Sequence, residues 1–300
     1  MDRFKQLETE VETLKAAVST LQDEVAALRE EQRASRHPVE ALLWQRGLPV
    51  IAHGDHTRTL LPHSLSVPGK ERFYELMRRY SFRLFLRDLI QYPEGAELGV
   101  LTRYCSLRTV RSYLRDLAEL GIVALRHDRS YQLILQQVSS FGPTLEWYVS
   151  EVFQREFMAP VLFNVRLEQT RYGGDYDVIA MVNGHLVYVE VKSSPPRGVE
   201  LPAVSAFLNR LHDLQPHMAV FLVDTELRMK DKIVPLFREA QDTVADSPES
   251  HPVTRLINEI FHIQHTIYLV NSRKGITSNL RYCFRDFLRT GKKAGDLKFE

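Results

Sequence analysis

The chain has 300 residues, 44% hydrophobic and 26% charged, with 39 Lys and Arg against 38 Asp and Glu. That length accommodates more than one domain, while a formal charge of +1 excludes a nucleic-acid argument from bulk charge and leaves only local clustering. Two cysteines, Cys105 and Cys283, are too few and too far apart for a disulfide framework or a zinc site. No apolar run is long enough to span a bilayer and the amino terminus is charged, so a cytoplasmic protein with no membrane partner is expected.

Residues 1–33 carry Phe4, Leu7, Val11, Leu14, Val18, Leu21, Val25 and Leu28 at alternating spacings of three and four. This is an a/d seam with valine at most a positions and leucine at every d, the combination that favours two parallel strands. Across such a dimer Arg3 faces Glu8, Glu10 faces Lys15 and Glu24 faces Arg29, all attractive. A homodimer through a parallel coiled coil is therefore expected. Residues 34–70 change character: Pro38, Pro49, Pro62 and Pro68 with Gly47, Gly54 and Gly69 break any regular period and predict a linker with short ordered pieces. His53, Asp55, His56 and His63 within it lack a common helical face and read as an exposed polar loop.

From 71 to 138 the spacing predicts a helix over Tyr80–Tyr92, a short helix around Glu97–Tyr104, and a third from Leu107 to about Leu120, capped by Ser106 and stopped by Gly121. Two β-rich runs around Asp128-Arg129-Ser130 follow as a hairpin. On the third helix Val110, Leu114 and Leu117 make the apolar side, and Arg108, Arg111 and Arg115 project from the other. This order resembles a winged helix-turn-helix. The resemblance implies DNA contact through the arginine face in the major groove, with Arg126 and Arg129 on the wing reaching the backbone.

Residues 141–300 predict helix (Thr144–Phe157), three strands (160–170, 176–182, 185–193), helix (201–214), strand (218–223), helix (226–240), strand (266–271) and helix (278–290). That is an α/β arrangement with a mixed sheet between helices. Asn183-Gly184 between two β-rich runs is the signal for a two-residue type I′ turn. Such a turn sets the register, placing Val182 opposite His185 and, counting back, Asp177 opposite Glu190. Alternation then puts Asp177, Glu190 and Lys192 on one face. Facing carboxylates, with β-carbons about 5 Å apart, repel, and the strands around them are apolar on both faces. Lys192 offsets part of that charge and a hard divalent cation would offset the rest.

The segment GGDYDVIAMVNGHLVYVEVKSS resembles the PD-(D/E)xK nuclease superfamily, which includes Holliday-junction resolvases, many restriction enzymes and RecB-type nuclease domains. The likeness covers residues 144 to about 271, with Tyr176 where the motif name has proline. It implies a restriction-endonuclease-like core of order αβββαβ and catalysis by Asp177, Glu190 and Lys192. It also implies Mg²⁺ or Mn²⁺ held by Asp177, Glu190 and the Val191 carbonyl, with Glu146 as the further glutamate on the first helix and Asp175 as an accessory acid. The expected function is a homodimeric, metal-dependent DNA endonuclease. The alternative is a DNA-binding regulator or assembly scaffold whose nuclease-like domain is not catalytic.

Overall fold

The structure, a computed structural model, describes residues 37–62, 64–96, 98–126, 131–135, 137–244 and 251–290, with Leu14, Lys15, Ala17, Val18 and Leu21 as helical positions ahead of them. Most of the expected coil lies outside the described residues. Of its seam, Leu14, Val18 and Leu21 are helical and more than half exposed in the single chain.

Residues 34–70, expected as a linker, contribute to the main sheet. Helix α1 (Pro38–Gln45) buries Val39 and Leu43, and strand β1 (Val50–Ala52) pairs antiparallel with β4 (Val161–Leu167). Helix α2 (Val67–Met77) forms where the sequence pattern predicts the end of a linker and no helix. Pro68 stands in its first turn, where a missing N–H costs nothing, and the Ser66 hydroxyl accepts from the Gly69 N–H. Helices α3 (Tyr80–Gln91), α4 (Leu98–Leu101) and α5 (Leu107–Glu119) follow, then the antiparallel pair β2 (Val123–Leu125) and β3 (Tyr131–Leu133). These elements agree with the expected positions to within a few residues.

Helix α6 (Gly142–Glu156) leads into β4, β5 (Asp175–Val182) and β6 (His185–Lys192), then α7 (Leu201–Leu214), β7 (Met218–Val223) and α8 (Ile233–Val244). Strands β8 (Thr254–Ile257), β9 (Ile260–Ile263) and β10 (Ile267–Asn271) and helix α9 (Ile276–Thr290) complete the described chain. Among the described residues the main sheet has eight strands in the order β1-β4-β5-β6-β7-β10-β9-β8. Its centre is parallel (β6–β7 and β7–β10) and its flanks antiparallel. The fold is α/β with a large mixed sheet, and its middle follows the expected helix, three strands, helix, strand.

Both faces of β5 and β6 are covered, which explains their apolar residues at successive positions. Val178, Ala180, Val187, Val189 and Val191 pack into a core with α6 and α9, while Ile179, Leu186 and Tyr188 pack against α7 and α8. The first core continues into the helices before it: Phe73 meets Trp147 at 5.6 Å between ring centroids, and Tyr74 meets Tyr148 at 5.6 Å. The helical segment and the sheet are thus packed as one body. Among the described residues no helix is long and apolar enough to cross a membrane.

Candidate active site

The turn at Asn183-Gly184 has both residues in the left-handed region, at φ 50° and 77°, as the type I′ geometry demands. The ladder it sets runs Val182↔His185, Met181↔Leu186, Ala180↔Val187, Ile179↔Tyr188 and Val178↔Val189, the expected register. Regular pairing stops there. At the next position Asp177 turns its carboxylate onto the opposing backbone, and Oδ2 accepts the Val191 N–H at 2.6 Å.

The reason lies on the other side of β5. Phe163 pairs with Val178 and Val165 pairs with Tyr176, leaving Asn164 at φ 50° opposite Asp177. Phe163 and Val178 belong to one core, Val165 and Tyr176 to the other. The strands therefore exchange faces at Asn164 and Asp177, and the strict alternation expected of β5 fails at its aspartate. Asp177 sits where both faces meet. It interacts electrostatically with Glu190 and Lys192 of β6 and with Glu146 of α6.

Glu190 is buried, 1% exposed. Lys192 Nζ donates to its Oε1 at 2.6 Å, Arg210 Nη1 of α7 donates to its Oε2 at 2.8 Å, and the Tyr188 hydroxyl donates to Oε2 as well. Residues 188, 190 and 192 share a strand face by alternation, the face that α7 covers. Glu146 is less well held: its Oε2 is buried without a hydrogen-bond partner.

The electrostatics follow from this crowding. Burial pushes the Asp177 carboxyl well above its ordinary range, with Glu190 and Glu146 adding to the rise and the Val191 N–H and Lys192 opposing it. Glu146 is raised to about 7, chiefly by burial, with Asn164 pulling it down and Glu190 pushing it up. An anionic cluster that its surroundings prefer to protonate is a cluster short of positive charge.

The other expected positions divide. Asp175 is exposed and pairs with Arg166 of β4, Nε to Oδ1 at 3.3 Å, beyond the point where β5–β6 pairing ends at Val178 and Val189. Lys192 lies beside Val223 of β7. Val191 packs its side chain into the core. Arg108, Arg111 and Arg115 are exposed along α5, opposite the buried Val110, Leu114 and Leu117, and have no ion pair among the described residues. Arg126 pairs with Glu94 at 3.3 Å. Arg129 and His63 lie outside the described residues.

Arg210 is not among the residues that the sequence pattern marks. It flanks the stripe Val204, Phe207, Leu208, Leu211 and Leu214 of α7, and a cation at the border of a buried face is the signal that could have found it. Arg83 and Asp224 are likewise unmarked in the sequence. Asp224, directly after β7, is wholly buried. It accepts from Arg83 Nη2 at 2.7 Å and from Arg87 Nη2 at 2.5 Å, both on α3, while its own N–H donates to the Lys192 carbonyl at 2.8 Å.

As they stand, no three His, Cys, Asp or Glu side chains among the described residues converge closely enough to chelate an ion. The donor chemistry nevertheless fits a hard divalent cation. Glu146 Oε2 is an orphaned acceptor, and Asp177 is held against two further carboxylates.

No family model matches the chain, and no curated protein matches it. Similar solved structures include protein VC1899 from Vibrio cholerae, at 17% identity and a TM-score of 0.41, covering 64% of this chain and 53% of that one. They also include Can2 from Sulfobacillus thermosulfidooxidans, solved in complex with cyclic tetra-adenylate, at 9% identity and a TM-score of 0.46, covering 82% of this chain and 61% of that one. The chain thus spans between about half and three-fifths of the length of these two structures.

Proposed function

We propose that this protein is a metal-dependent nuclease that hydrolyses phosphodiester bonds of DNA, acting as a homodimer. The observation that carries the reading is the gathering of Glu190, Glu146 and Lys192 about Asp177, with two of the three carboxylates raised by their surroundings. A fold has little reason to keep repelling acids at the junction of two cores unless a cation or a proton is to be held there.

Asp177 and Glu190, with the Val191 carbonyl, would hold Mg²⁺ or Mn²⁺. Such a cation, when bound, polarises the scissile phosphate and lowers the pKa of attacking water. Lys192 is a compact positive charge that orients that water and stabilises the charge gathering on the phosphate. Glu146, raised to about 7, is matched to receiving a proton near neutral pH. The exposed arginines of α5, in a segment that resembles a winged helix, would grip duplex phosphates. The exposed Leu14, Val18 and Leu21 suit a coiled-coil seam that pairs two chains, so that each cuts one strand.

The scaffold alternative draws on one observation, the complete engagement of Glu190 by Lys192, Arg210 and Tyr188. One experiment separates the two readings. The purified protein is incubated with duplex, single-stranded and branched DNA and with RNA, in Mg²⁺, Mn²⁺ or EDTA. Cleavage is expected with either metal and not in EDTA, and Asp177→Asn or Lys192→Ala should abolish it while DNA binding persists. Full cleavage by either variant sinks the assignment, and no cleavage of any substrate by the unmodified protein favours the scaffold.

A further inference from the structure

Three side-chain donors converge on Glu190. Lys192 already contacts Oε1 and the Tyr188 hydroxyl already donates to Oε2, yet Arg210 Nη1 also reaches Oε2. A guanidinium has five N–H donors, and this one leaves Nε buried without a partner. Its position is also built for. Gly174, at φ +94°, holds a backbone conformation that favours glycine, and a β-carbon there would lie 2.8 Å from Arg210 Nη2. The ring of Tyr176 lies 6.0 Å from the guanidinium carbon, a contact that steadies a planar cation. Burial works against the charge on Arg210, but Glu190 and then Tyr188 outweigh it.

The charges show what such an arginine can do. Two cations, Lys192 and Arg210, meet a group of three carboxylates, of which Asp177 and Glu146 are raised by burial and by their neighbours. A divalent cation at these acids would free a guanidinium to face the phosphodiester monoanion beside it. Lys192 sits on the same strand as Glu190, whereas Arg210 reaches it from α7 across the sheet face.

We propose that Arg210 is a further catalytic residue of this site: it is bonded to Glu190, and turns to the non-bridging oxygens of the scissile phosphate when a divalent cation takes that carboxylate. The forked, planar donor pattern suits two phosphate oxygens at once. This rests on the nuclease reading above. It adds that metal and Arg210 compete for one carboxylate, so that losing the arginine moves metal binding and cleavage in opposite directions.

The test uses the full chain and Mn²⁺ alone as probe, with affinity measured by calorimetry or electron paramagnetic resonance and cleavage measured at saturating Mn²⁺. Arg210→Gln is expected to bind Mn²⁺ roughly tenfold more tightly, having lost a competing charge beside the carboxylates. It should cleave roughly 100-fold more slowly, with the loss in kcat. Arg210→Lys keeps the charge and loses the fork; its Mn²⁺ affinity should stay near that of the unmodified protein while kcat still falls, and it carries the comparison if the glutamine variant does not fold. An unmodified protein that binds Mn²⁺ and cuts, with Arg210→Gln and Arg210→Lys matching it in kcat, overturns the role of Arg210 alone. Mn²⁺ affinity that falls together with cleavage in both variants overturns it as well, showing a structural arginine. An unmodified protein that binds no Mn²⁺ overturns this proposal and the nuclease reading together.

Discussion

Glu146 makes the state of the site readable through pH. Its carboxyl is raised from an ordinary value of 4.5 to about 7, and Asp177 moves in the same direction. A carboxyl that is harder to ionise folded than unfolded stabilises the fold below its unfolded pKa, and that contribution is lost as pH rises through the folded value. The protein should therefore lose stability between about pH 4.5 and pH 7, the reverse of a salt-bridged carboxylate. Glu146→Gln removes the penalty, so thermal unfolding at pH 8 should show a gain on the order of 2 kcal/mol and a flatter pH dependence. Added Mn²⁺ should stabilise the unmodified protein at pH 8 and much less at pH 5, where Glu146 is already protonated. A variant whose melting temperature follows pH as the unmodified protein does would show that Glu146 is not the titrating group.

At the level of elements, helix α5 has one face in the core and one in solvent. Val110, Leu114 and Leu117 hold it to the core, and Arg108, Arg111 and Arg115 stand in solvent. Replacing the three arginines with glutamine should leave folding intact and weaken DNA binding across sequences. The slope of log affinity against log salt should fall by about 0.9 for each phosphate that the helix no longer neutralises; an unchanged slope, measured by titration at several salt concentrations, removes α5 from the interface. Helices such as α5 were legible because amphipathic spacing and a serine cap are local signals, and so was the β5–β6 register, which the Asn183-Gly184 turn sets by itself. Other elements answer to partners far away in sequence. Helix α2 reads as linker because Pro68 and Gly69 look like breakers, although proline in a first turn behind a serine cap supports a helix. Helix α8 begins at Ile233, later than the expected residue 226. The N–H groups of Met229 and Lys230, ahead of it, are taken by Glu259, which lies between β8 and β9. The exchange of faces at Asp177 depends on Asn164 across the sheet, and Arg210 meets Glu190 only through the placement of α7 over β6. The nearness of Asp177 and Glu190 could be read off the chain, but the cationic surroundings of Glu190 could not.

Across the whole molecule, Asp224 joins the two halves. Burial opposes its charge, but Arg83 and then Arg87 outweigh that and hold its carboxyl below the ordinary range. Arg83 is itself 1% exposed, so neither side of this bridge can turn to water for a substitute. Removing one partner of a buried pair strands the other, and Asp224→Asn should cost about 3–5 kcal/mol in chemical denaturation. A loss under about 1 kcal/mol would mean that the pair behaves as a surface bridge.

The same residue's N–H is bonded to the Lys192 carbonyl, so α3, the end of β7 and the lysine of the candidate site are linked by consecutive short bonds. Helix α5, which bears the arginine face, packs on α3 through Tyr113 and Phe82 at 4.9 Å between ring centroids, so it is held to the sheet by the same chain of contacts. If the protein is the nuclease proposed above, a duplex lying on α5 would be presented to Lys192 at one separation, and the protein would work as a fixed caliper, cutting at a constant offset from the place where it grips.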